Sequence, residues 1–165
     1  VTRCAVYGTG SWGTAFAMVL ADAGCEVTMW GRRAELVDAV NTGRTNPDYL
    51  PGVELPAAVR ATTDPAEAAR GAAFTVLAVP SQTLRGNLTE WAPLLAADTV
   101  LVSLMKGVEL GTAKRMSEVI EEVAKVSPDR VAVLTGPNLA KEIAARQPAA
   151  AVVACRDESV AKRLQ

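Results

Sequence analysis

Short, uninterrupted apolar runs alternate along the chain with longer stretches in which apolar and polar positions mix. The runs at residues 3–7 (RCAVY), 26–30 (EVTMW), 59–62, 74–79, 99–104, 131–134 and 149–154 have the length of buried strands. Between them, residues 12–23, 33–41, 81–91, 112–125, 138–145 and 158–164 are expected to be helical. Asp64 followed by Pro65 starts a further helix, with a capping carboxylate and a proline at the first helical position. Gly24 is placed to close the first helix, the second is expected to end near Gly43, and Ser81 is placed to cap the one that begins at 81. Strands that are apolar throughout need helices on both faces of their sheet, so the alternation predicts a doubly wound α/β domain with mostly parallel strands. Residues 42–56 break the rhythm with Gly43, Asn46, Pro47, Pro51, Gly52 and Pro56, a loop long enough to expect a functional role.

At 165 residues the chain has the size of one domain, 1–165, able to bury roughly 68–70% of its unfolded surface. Seventeen Lys and Arg against 18 Asp and Glu leave a net charge of −1. That balance excludes a general nucleic-acid binder and a stable membrane association, which need a cationic surplus. No apolar stretch is long enough to span a bilayer, and the first residues lack the order of a secretory signal. Cys4, Cys25 and Cys155 are odd in number and have no CxxC spacing, so reduced thiols in a cytoplasmic protein are expected, and no metal site. The chain has no histidine, which removes Ser-His and Cys-His catalysis and His-ligated metals.

The candidate chemistry sits where strands end. Gly8-Thr9-Gly10-Ser11-Trp12-Gly13 is a G-x-G-x-x-G run that follows a predicted strand and opens a predicted helix, the context of a dinucleotide-binding Rossmann fold. Gly8 permits the tight turn, Gly10 lets a pyrophosphate approach the backbone, and Gly13 lets helix and strand pack closely. The N–H groups near Ser11 and Trp12 then face that pyrophosphate at the positive end of the helix. After the second strand, Trp30-Gly31-Arg32-Arg33 stands where an NAD-selective site would carry an acid. A guanidinium pair suits a 2′-phosphate, so NADP(H) is the expected cofactor, with NAD(H) still open. Val79-Pro80-Ser81-Gln82, Met105-Lys106-Gly107 and Thr135-Gly136-Pro137-Asn138 follow three further strands and should converge on one crevice. Lys106 is the cation of that group, placed to polarise a substrate oxygen.

Six stretches together resemble the bacterial type of NAD(P)-dependent glycerol-3-phosphate dehydrogenase: 8–15 (GTGSWGTA), 30–33 (WGRR), 46–51 (NPDYLP), 79–84 (VPSQTL), Lys106-Gly107 and 135–143 (TGPNLAKEI). The first is common to many dehydrogenases, and the combination of the last three is far more specific. The resemblance implies cofactor contacts at Ser11, Trp12, Arg32, Arg33, Tyr49 and Ala140, substrate contacts at Gly136 and Asn138, and both at Lys106. It implies hydride transfer between NAD(P)H and dihydroxyacetone phosphate to give sn-glycerol 3-phosphate, which feeds phospholipid synthesis, and a homodimeric parent protein. The family's second, mostly helical domain, with its proton-transferring lysine and its grip on the substrate phosphate, lies outside this chain, so the chain alone is expected to be inactive. Two alternatives stay open from the residues: a related dehydrogenase for a hydroxyacid or sugar nucleotide, and a stand-alone NADP(H)-binding or sensing module.

Overall fold

The computed structural model describes residues 1–165 and contains one seven-stranded sheet. Its strands are β1 (Arg3–Tyr7), β2 (Glu26–Trp30), β3 (Val59–Thr62), β4 (Phe74–Leu77), β5 (Val100–Ser103), β6 (Val131–Thr135) and β7 (Val152–Cys155). They lie in the order β3-β2-β1-β4-β5-β6-β7; the first six are parallel, and β7 runs antiparallel to β6. The helices are α1 (Ser11–Asp22), α2 (Ala34–Gly43), α3 (Pro65–Ala69), α4 (Leu84–Trp91), α5 (Met116–Ala124), α6 (Ala140–Ala144) and α7 (Glu158–Leu164). This is the doubly wound Rossmann arrangement expected from the apolar pattern.

Alternate residues of the central strands serve two different cores. Cys4 and Val6 of β1 join Val27, Met29, Val76 and Val102 beneath Phe16 and Leu20 of α1, Val37 and Val40 of α2, Ala144 of α6 and Val160 of α7. Ala5 and Tyr7 point the other way, to Leu77 and Leu101 and to α3, α4 and α5 through Ala68, Leu84, Leu88, Val119 and Ile120. Each fully buried large side chain contributes roughly 1.5–3 kcal/mol, so period-two alternation in register fixes both layers at once. Tyr7, Trp30 and Trp91 form an aromatic group in the second layer, with ring centroids 4.5–6.0 Å apart. The Tyr7 hydroxyl donates to the Pro65 carbonyl at 2.7 Å, and burial raises its pKa.

Several local expectations need correction. Ser81 does not cap a helix: residues Ser81–Thr83 form one 3₁₀ turn, and α4 begins at Leu84. The helix expected from 112 begins at Met116, because residues 106–115 fold back on themselves through a Val108–Arg115 bridge. Glu118 stops α5 from extending backwards by accepting from the Arg115 N–H at 2.9 Å. The last strand covers Val152–Cys155, not 149–154, and α6 is shorter than 138–145. Of the three free cysteines, only Cys4 is a buried core residue; Cys25 and Cys155 are half-buried. No helix is long and apolar enough to cross a membrane.

Candidate functional site

Strand order reverses between β1 and β4, and the crevice at their carboxyl ends lies at that switch point, where open α/β sheets bind ligands. Gly8 leaves β1 with φ +126°, and a Cβ there would stand 2.4 Å from the Ala78 carbonyl oxygen. A Cβ at Gly13 would lie 2.6 Å from the Gly8 carbonyl oxygen, so both positions require glycine by close approach. Gly10 differs, since nothing lies within 4 Å of a Cβ built on it. It faces open space at the N-terminus of the 12-residue α1, and no side chain caps that end. The N–H groups of Ser11, Trp12 and Gly13 have no carbonyl ahead of them in the helix and are available to an anion.

The irregular segment after α2 closes over this loop. Asn46 is fully buried; its Nδ2 donates to the Thr9 carbonyl at 2.9 Å and to Thr14 Oγ1 at 2.8 Å, and its Oδ1 accepts from the Tyr49 N–H at 3.2 Å. Ser11 Oγ donates to the Tyr49 carbonyl at 2.7 Å. Tyr49 therefore stands over a crevice of about 330 Å³ shared with Gly8, Gly10, Gly31 and Arg32. The turn formers of residues 46–51 marked an irregular loop, but nothing in the sequence showed Asn46 reaching 37 residues back to Thr9. Thr83 and Asn87 also line the crevice, and neither stood out in the sequence.

The two arginines after β2 have different surroundings. Arg32 is exposed and lines the crevice. Arg33 is bound by two carboxylates, Nε to Glu35 at 2.9 Å and Nη1 to Asp48 at 2.6 Å. These pairings raise the Arg33 pKa; that of Glu35 is lowered, first by its own backbone N–H and then by Arg33.

The other side of the crevice brings together the remaining candidates. Lys106 is exposed, and its Nζ donates to the Gly136 carbonyl at 3.2 Å, so the β5 and β6 ends meet directly. A Cβ at Gly136 would lie 2.5 Å from the Ala150 carbonyl oxygen. The loop bearing Lys106 is held from the β4 end: Gln82 Nε2 donates to the Val108 carbonyl at 2.9 Å, and its Oε1 accepts from the Leu110 N–H at 2.9 Å. Arg85 grips Glu109 of the same loop with Nε at 2.8 Å and Nη2 at 3.0 Å. Asn138 holds a buried Nδ2 with no hydrogen-bond partner, beside Gly136. The residue also lines a neighbouring apolar groove of about 440 Å³, together with Trp12. Ala140 opens α6 two residues further on. The glycine loop, Arg32 and Tyr49 thus border one part of the crevice edge, and Lys106, Gly136 and Asn138 border the next.

An open anion-facing helix end and clearance at Gly10 fit a dinucleotide laid across the switch point. The model of the NAD-dependent glycerol-3-phosphate dehydrogenase N-terminus matches residues 3–161. The chain is 80% identical over 163 residues to glycerol-3-phosphate dehydrogenase [NAD(P)+] of Streptomyces avermitilis, covering 99% of this chain and 48% of that protein. It is 63% identical over 166 residues to the protein of the same name from Thermobifida fusca, covering all of this chain and 49% of the relative. Among solved structures, glycerol-3-phosphate dehydrogenase from Coxiella burnetii superposes with a TM-score of 0.91 at 32% identity, over 99% of this chain and 49% of that one. The chain spans about half the length of the curated relatives it matches.

Proposed function

The chain belongs to the NAD-dependent glycerol-3-phosphate dehydrogenase family, as its N-terminal part, and on that premise we propose that it binds NADP(H) in preference to NAD(H) across the switch-point crevice. When bound, the dihydronicotinamide supplies the hydride for reduction of dihydroxyacetone phosphate to sn-glycerol 3-phosphate by the whole protein. The N–H groups of α1 and the clearance at Gly10 receive the pyrophosphate. Arg32, in the crevice and outside any ion pair, accounts for the expected NADP(H) preference. Lys106, oriented by the Gly136 carbonyl, donates toward the substrate oxygen on which negative charge develops. Asn138 offers its unpartnered amide to the substrate, and Ala140 lies near the nicotinamide. The observation that carries this reading is the unobstructed N-terminus of α1 behind a glycine loop that no side chain can replace at Gly8 or Gly13.

Calorimetric titration of the chain with NADPH and with NADH tests the cofactor assignment, and absence of binding to both at millimolar concentration overturns it. Arg32→Ala should weaken NADPH more than NADH by about tenfold or more, the contribution of a charge-assisted hydrogen bond. Equal losses would show that Arg32 does not read the 2′-phosphate. In a protein extended by the relatives' second half, NADPH oxidation with dihydroxyacetone phosphate should appear, and Lys106→Ala should remove most of it. The chain alone should not turn over, since a positioned general acid typically contributes 10²–10⁴-fold and no histidine is present.

A further inference from the structure

Next in sequence to Arg32 and Tyr49 of the crevice stand Arg33 and Asp48, an ion pair that the cofactor reading leaves unused. We propose that Asp48 is a specificity-determining residue, whose carboxylate restrains Arg33 and so moderates the preference of the crevice for a 2′-phosphorylated dinucleotide. The inference rests on the crevice being the dinucleotide site.

Arg33 follows Arg32 directly at the end of β2, yet its guanidinium is engaged twice, by Asp48 at 2.6 Å and by Glu35 at 2.9 Å. Glu35 lies in the first turn of α2, where a carboxylate is favoured by the helix dipole in any case. Asp48 has a different origin. It comes from the loop that Asn46 fastens to the glycine loop, and it immediately precedes Tyr49, which lines the crevice. Its position is set by a buried anchor two residues away, so its carboxylate is presented to Arg33 by the same turn that completes the crevice.

A phosphate on the adenosine ribose beside Arg32 would compete with Asp48 for the guanidinium of the neighbouring Arg33. Arg33 and Asp48 are each about half exposed, 48% and 44%, and such a pair is weak enough to exchange one anion for another. The crevice therefore reads a 2′-phosphate with one free arginine and one restrained arginine.

Asp48→Asn keeps the shape of the side chain and removes its charge. Titration of the chain should show NADPH binding strengthened about two- to fivefold, the range expected for releasing one exposed ion pair, with NADH affinity unchanged. The gain should shrink in ~0.5 M salt, where the screening length approaches contact distance. In an Arg33→Met background, Asp48→Asn should no longer raise the NADPH preference. An unchanged or lower ratio of NADPH to NADH affinity in Asp48→Asn overturns the proposal, and so does a gain that persists without Arg33. If the unaltered chain binds neither cofactor, the reading of the crevice fails instead, and the two failures are told apart by that first titration.

Discussion

Asn46 and Gln82 each use a side-chain amide to hold a loop at the crevice, one in a dry interior and the other in water. Asn46 is fully buried; two of its three bonds close onto the β1–α1 side, at Thr9 and Thr14, and the third holds Tyr49 of its own loop. Gln82 is exposed and joins the strand end after β4 to the backbone of residues 108 and 110. Around it the contacts are ionic: a part-buried pair of Arg85 with Glu109, and solvated pairs of Arg85 and Lys114 with Glu122. A buried polar group that loses its partner costs its full desolvation, whereas an exposed one is rescued by water. The glycine-loop side is therefore built as a fixed cradle, and the Lys106 side is held by contacts that solvent, salt and pH can loosen. A pyrophosphate needs a rigid frame of N–H groups, and a lysine serving substrate tolerates movement.

Three experiments bear on this contrast. Gly8→Ala should have the largest effect, because the added methyl would clash with the Ala78 carbonyl at a φ that side chains rarely adopt. Backbone strain of this kind costs about 1–3 kcal/mol before the clash is counted, and urea unfolding should show at least that loss. Next, Asn46→Ala should destabilise the chain by about 1–3 kcal/mol through the buried groups it leaves unpaired. Gln82→Ala should change stability by no more than about 0.5 kcal/mol, as for most surface positions. Amide hydrogen exchange locates the difference: Asn46→Ala should raise exchange at the Tyr49 N–H, and Gln82→Ala at the Leu110 N–H alone. Equal stability losses from the two would dissolve the distinction.

The smallest effect is on pH dependence. Arg85 first, and Thr112 after it, hold the Glu109 carboxyl down at about 2. A depressed carboxylate pKa means that the pairing is fully present above the ordinary value of 4.5 and is lost as the pH falls through about 2. Unfolding midpoints followed from pH 5 downward should therefore fall less steeply in Glu109→Gln than in the unaltered chain. Parallel curves would show that the ionic network contributes nothing to acid stability.

The alternation of apolar runs and helical stretches was sufficient to predict the doubly wound sheet, because a strand apolar on both faces has few ways to be buried. Strands β1, β2 and β3 fall where the pattern placed them, and α7 does too. The glycine loop was equally readable, since its spacing follows from the geometry of one turn, and strand ends pointed to Lys106 and to the segment 135–138, within which the family resemblance singled out Gly136 and Asn138. Local chemistry misled at Ser81 and at residues 112–115. At Ser81 the neighbouring Gln82 is drawn to the chain around Val108, and at 112–115 the Val108–Arg115 bridge and a local cap from Glu118 take the backbone. What tertiary structure alone decided was the pairing between loops. Asn46 and Thr9 meet across 37 residues, and Arg33 and Asp48 across 15. Local propensity reaches only a few residues along the chain, and such contacts exist only after the sheet has brought its strand ends together. The sequence by itself thus determined that two arginines stand at the end of β2, and the folded chain decided that Arg32 is free and Arg33 is held.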